Sequence, residues 1–118
     1  MKFCNLDYLK SVTPKSNSFP IQMIKLFLQD TPDSIKKMKV ALKSSNWSEV
    51  HKNARKIKPS IIMLGASKTL IDKLSHIIEI AKSEEETQQI STYLPELEED
   101  ISKIYVELEE AVKDMENQ

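Results

Sequence analysis

The chain has 118 residues, 30% of them charged and 6% aromatic, with a net charge of -1 and a single glycine. That length suits one domain, residues 1–118, and the composition favours helices, since one glycine leaves almost nothing for hairpin turns. The lone Cys4 excludes an intramolecular disulfide and a thiolate metal cluster, no apolar run approaches the ~20 residues that span a bilayer, and the N-terminus lacks a signal-peptide pattern, so a soluble cytoplasmic protein is expected.

Residues 3–12 carry Leu6 and Leu9 at helical spacing and read as a short leading helix. Residues 13–18, with Pro14 and no apolar side chain, read as a loop. Ser18 is placed to cap a helix with Pro20 in its first turn, whose apolar face is Ile21, Ile24, Phe27 and Leu28 and which ends at Gln29 or Asp30. Thr31-Pro32-Asp33 then reads as a second start, with Ile35, Met38 and Leu42 on the buried face and Ser44-Ser45-Asn46 as the stop.

Asn46, with Glu49 three residues on, has the form of a capping box and opens a central helix. Its apolar positions Trp47, Val50, Ala54, Ile57, Ile61 and Leu64 step 3-4-3-4-3, the seam of a helix packed nearly parallel to its neighbours. Gly65 supplies a left-handed stop and Ser67 a cap for the next helix, whose face is Leu70, Leu74, Ile77 and Ala81, widened by Ile71 and Ile78. Ser83 with Glu86 reads as a further capping box. The last stripe, Ile90, Leu94, Leu97, Ile101, Ile104, Leu108, Ala111 and Met115, is interrupted only by Pro95, so the helix either kinks there or begins beside it. Amphipathic helices with short connections predict an all-α fold, an antiparallel four-helix bundle with a short N-terminal accessory helix. A dimerising coiled-coil tail is the competing reading, but the upstream helices also need a partner, so a monomer is expected.

The charge is unevenly spread. Lys36, Lys37, Lys39, Lys43, Lys52, Arg55, Lys56 and Lys58 face the single acid Glu49, whereas the tail from Glu84 is strongly acidic. Such a chain either offers its basic half to an acidic partner or pairs its two faces with each other. At about 100° per residue, Ser48, Lys52, Arg55, Pro59, Ile62 and Met63 fall away from the central seam, with Arg55 roughly 130° from its centre. Cations and apolar side chains thus share an outer strip, the signature of a docking surface, unless Ile62 packs on a neighbouring helix. Pro59 removes the amide that would bond the Arg55 carbonyl, and the Ser60 hydroxyl is a candidate to relieve it.

These residues carry a family resemblance. Ala54-Arg55-Lys56-Ile57-Lys58-Pro59-Ser60-Ile61-Ile62-Met63-Leu64-Gly65 resembles the active helix of histidine-containing phosphotransfer (HPt) domains, roughly Ala-His-x-x-Lys-Gly-Ser-x-x-x-Leu-Gly. Phe27-Leu28, Thr31-Pro32 and Asn46-Trp47 look like the same family, so the resemblance covers about residues 5–115. It implies a four-helix bundle with an accessory helix. In the family a protruding imidazole attacks the phosphoaspartate of a response-regulator receiver domain and later returns the phosphoryl group to another receiver. Here Arg55 stands at that position, and a guanidinium, with donors only, is no nucleophile. Pro59 departs from the family's small residue as well. The resemblance therefore implies a two-component phosphorelay module that binds a receiver domain or a hybrid histidine kinase without carrying phosphate. Lys52, Arg55, Lys58, Pro59, Ile62 and Met63 would form the contact, Lys58 matching the family lysine that steadies the phosphoryl oxygens.

Two other readings stay open. His51, one turn before Arg55, is a displaced candidate acceptor, whereas His76 reads as a polar-face residue. A helical adaptor outside phosphorelay, working through its acidic last helix, is the other. No cofactor or metal is expected, because Cys4, His51 and His76 lack ligand spacing and no glycine-rich phosphate loop exists. The acids of the tail read as a solvated face, and a negative net charge with only Trp47 as an aromatic in the basic helices argues against nucleic acid.

Overall fold

A computed structural model describes residues 1–12 and 15–118. Among them the chain is all-helical: α1 (Asp7–Val12), α2 (Ser18–Lys43), α3 (Trp47–Met63), α4 (Lys68–Ser83), a 3-10 turn (Thr87–Gln89) and α5 (Ile90–Glu116). α2 packs on α3 and α5, and α4 packs on the same two helices, in a body 48 × 22 × 20 Å. Ion pairs fix directions: Lys25 meets Glu116 at 3.3 Å and Lys39 meets Glu98 at 2.7 Å, so α2 and α5 run antiparallel. Lys73 with Asp100 at 3.1 Å, and His76 stacked on Tyr93, show the same for α4 and α5. None of the described helices is long and apolar enough to cross a membrane.

The seams settle inside as their spacing predicts. Val50, Ala54, Ile57, Ile61 and Leu64 are buried on α3, and Leu70, Leu74, Ile77 and Ala81 on α4. Asn46 Oδ1 accepts from the Glu49 amide at 3.3 Å and Ser67 Oγ from the Leu70 amide at 3.2 Å, so both caps form. The reciprocal half of the first box does not: the Asn46 amide donates to the Ala41 carbonyl, and Glu49 Oε1 accepts from Asn53 Nδ2. Asn53 is itself buried, its Nδ2 donating to the Glu49 carbonyl at 2.9 Å.

Several expected boundaries are overruled. Residues 18–43 form one helix rather than two, with Pro32 in its interior. Thr31, which has the form of a cap, is 4% exposed and lies beside the Tyr105 phenol of α5. Ile24, Phe27, Thr31, Ser34, Ile35 and Met38 keep one buried stripe running past the proline. Of the two readings left open for the last stripe, the helix that runs on past Pro95 is the one found: α5 begins at Ile90 and continues through it. Pro32, Pro59 and Pro95 all sit on exposed positions. Each costs about 3 kcal/mol if nothing compensates, but a fully buried Leu or Ile contributes about 1.5–3 kcal/mol. Two seam residues beyond the proline are enough to keep the helix going, and the freed carbonyl lies on the wet side.

Cap assignments shift too. Ser18 is the first residue inside α2, and the preceding Asn17 makes no cap bond; its Nδ2 donates to Gln118 Oε1 at 2.8 Å. Ser83 ends α4 instead of capping a helix. Its Oγ accepts from the Glu85 amide, while Glu84 and Glu86 take left-handed backbone with φ of 57° and 54°. Of the expected 13–18 loop, residues 13 and 14 lie outside the described residues.

The leading helix is shorter than residues 3–12, because the backbone donors before it are engaged elsewhere. The amides of Lys2, Phe3 and Cys4 donate to the Glu107 carboxylate of α5 at 2.6, 2.9 and 3.0 Å, and Cys4 Sγ donates to the same group at 3.2 Å. The Asn5 amide donates to the Leu64 carbonyl at 3.0 Å, and Asn5 Oδ1 accepts from the Asp7 amide at 2.8 Å, starting α1. Residues 2–5 are therefore a strap across the end of the helices. It lies on Gly65, where φ is +67° and an added Cβ would collide with the Asn5 carbonyl oxygen. Glu107 is thus a placed acceptor, not part of a solvated acidic face.

Partial burial pushes the Glu107 carboxyl up, but the Lys2, Phe3 and Cys4 donors outweigh it and hold it below the usual carboxylate range. Its stabilisation is complete above the unfolded value and is lost as pH falls through the lower folded value. Glu107→Gln is expected to cost on the order of 1–3 kcal/mol at pH 7, with the gap to wild type closing in acid; urea unfolding at stepped pH reads both. Gly65→Ala is expected to cost more than ~2 kcal/mol by the same measurement, since left-handed backbone alone costs about 1–2 kcal/mol and the Asn5 backbone has no flexible end to give way.

Candidate functional site

α3 starts at the Asn46 cap and turns its seam inward, which dictates what it shows outside. Arg55 and Pro59 are exposed, Ile62 is 51% exposed, and Lys58 and Met63 are half-buried. Together these five side chains line one side of an open groove of about 780 Å³. Tyr8 of α1 and Ile78 of α4 complete it. The floor is apolar, from Pro59, Ile62, Met63 and Ile78, and the cations Arg55 and Lys58 stand in it without an ion pair among the described residues.

Of the residues singled out from the sequence, Lys52 alone among the contact set lies outside this groove. It is exposed and has no ion pair among the described residues, one turn of helix before Arg55. Tyr8 and Ile78 had no local signal: Tyr8 is an ordinary aromatic in a short helix, and Ile78 belongs to the widened face of α4. Ile62 does not pack away on a neighbour, which settles the alternative in favour of an exposed apolar side chain. His51 is half-buried and does not line the groove. His76 is exposed on α4, its ring 5.9 Å from that of Tyr93 with 16° between planes.

Charge is distributed accordingly. Several acids of α5 are occupied: Glu98 with Lys39, Glu96 and Asp100 with Lys73, and Glu116 with Lys25. The Asp100 hydrogen bond heads the causes that push the Lys73 ammonium above its ordinary range. Lys52, Arg55, Lys56 and Lys58 have no such partner among the described residues, so the outer face of α3 keeps its positive potential. This arrangement can bind an acidic, partly apolar surface. Among the described residues the groove lining offers one hydroxyl, on Tyr8, and one amine, on Lys58, and no group of three or more His, Cys, Asp or Glu is placed to hold a metal.

Set beside known proteins, the chain matches no family model, no curated protein and no solved structure.

α3 continues through Pro59 to Met63, and the Ser60 hydroxyl, the candidate to relieve the proline, makes no hydrogen bond among the described residues. The Arg55 carbonyl that Pro59 leaves unpaired lies on the exposed side, where water can serve it. Pro59→Ala restores the amide and is expected to raise stability by about 1–3 kcal/mol in urea unfolding; a loss of stability would show that the proline is compensated in the folded state.

Proposed function

We propose that this protein is an HPt-like four-helix bundle of two-component phosphorelay signalling that docks a receiver domain, free or within a hybrid histidine kinase, without carrying phosphate. The observation that carries this reading is Arg55, exposed in an apolar groove with Lys58 one turn on, at the position where the resembled family holds its phosphoacceptor histidine. A receiver presents an acidic pocket, and a guanidinium is a permanently charged fork suited to carboxylates and phosphates. Pro59, Ile62 and Met63 add the apolar area that such a contact needs. The up-and-down order of α2 to α5, with α1 at one end, supports the same assignment. A free, buried Cys4 is in keeping with a reducing cytoplasm, where we place the protein.

His51 as a displaced acceptor is disfavoured by its position outside the groove. The test is incubation with phosphorylated receiver domains from the same genome. Binding is expected without transfer, and Arg55→Glu with Lys58→Glu is expected to weaken it tenfold or more, about 1.4 kcal/mol. Acid-labile label on this chain would sink the phosphate-free reading, and binding indifferent to both charge reversals would favour an adaptor that works through another face.

A further inference from the structure

We infer that Glu107, which lines no part of the groove, is a positioning residue for it, holding Tyr8 at the groove edge through the strap of residues 2–5. The functional meaning of this rests on the groove being a docking surface, but the coupling itself needs no partner to be seen.

The path is a continuous run of contacts. Glu107 takes three consecutive amides and the Cys4 thiol at 2.6 to 3.2 Å. The next residue, Asn5, is held twice, by its amide on the Leu64 carbonyl and by its carboxamide on the Asp7 amide, at 3.0 and 2.8 Å. Tyr8 follows three residues later. Gly65, without a Cβ, lets the Asn5 backbone lie directly on the turn that ends α3, so the strap has one seat and little freedom to slide. α1 has only six residues, too few to hold a helix by itself. Leu9 is its buried anchor, with Leu6 buried just ahead of it, whereas Tyr8 is 64% exposed and contributes little to its own placement. The segment that leads into α1 adds the hydrogen-bonded hold that these two apolar anchors lack. The Cys4 thiol, pushed up to about 12 first by burial and then by Glu107, stays protonated and so remains a donor to the clamp.

Other titratable or charged groups share this end of the molecule. Met1 contributes its amine ahead of the strap and Lys2 lies within it, α1 contributes Lys10, and α5 contributes Glu110 and Asp114, with Lys103 over the Phe3 ring at 5.6 Å. A titration must therefore be assigned to Glu107 by substitution.

The experiment is NMR of the full chain without partner. It follows the Tyr8 ring, the Ile62, Ile78 and Met63 methyls in the groove, and the Met38 and Ile90 methyls as reporters of the remaining core. At pH 7, Glu107→Ala is expected to move the Tyr8 and groove signals by more than their linewidths and Glu107→Gln to move them less in the same direction, with Met38 and Ile90 unchanged. Groove signals that stay in place while the amides of residues 2–4 move would overturn the inference. Should Glu107→Ala not fold, acid titration of the wild type reads the same coupling. The groove signals should follow the midpoint of the Phe3 amide and lose that transition in Glu107→Gln, and a transition unchanged in Glu107→Gln assigns it to Glu110 or Asp114 and overturns the inference. Because receiver binding is not the readout, the coupling can stand or fall independently of the docking reading.

Discussion

A proline beyond the first turn of a helix removes one backbone hydrogen bond, and the three longest helices, α2, α3 and α5, each carry one such interior proline. The structure depends on all three standing on the wet side. Pro32, Pro59 and Pro95 are exposed, and the apolar stripe continues beneath each of them. Were any of these helices rotated by a third of a turn, an unpaired carbonyl would be buried with its desolvation cost, and the stripe would lose its partners. Proline placement and seam burial therefore fix the same rotation. At Pro59 this common orientation also decides what α3 presents outward, namely Arg55, Lys58 and Ile62.

What could be read from the chain follows from the range of the interactions involved. Seams and caps are local: the 3-4 spacing from Val50 to Leu64, the Asn46 and Ser67 caps and the left-handed Gly65 are set by residues within a turn of each other. The break expected at Thr31-Pro32 was a local signal outvoted by packing, because Thr31 is buried against α5 and the stripe on either side of it is unbroken. At Pro95, where the sequence leaves a continuing helix and a later start open, buried Ile90 and Leu94 carry the helix through. The strap was not legible at all. Cys4 and Glu107 are 103 positions apart, and nothing near Glu107 distinguishes it from the other acids of α5.

The groove stands between these cases. Its α3 side is local geometry, so Arg55, Pro59, Ile62 and Met63 follow from helical phase, while Lys58 was singled out by the family resemblance. Its other walls need the neighbours in place, and Tyr8 and Ile78 arrive only with α1 and α4. Of the basic stretch from Lys36 to Lys58, Lys39 pairs with the acidic α5, whereas the cations of the outer α3 face have no ion pair among the described residues; Lys25 and Lys73, from outside that stretch, also join their helices to α5.

The strap also orders events in time. Residues 2–5 leave the ribosome about a hundred residues ahead of the carboxylate that receives them, and they cannot settle on Gly65 until α3 has turned into α4. Closing so long a loop is entropically costly compared with the helix-to-helix turns of a few residues. Each nascent chain therefore carries Cys4 and Leu6 uncovered until α5 has been made, and they are among the last residues of this fold to be protected.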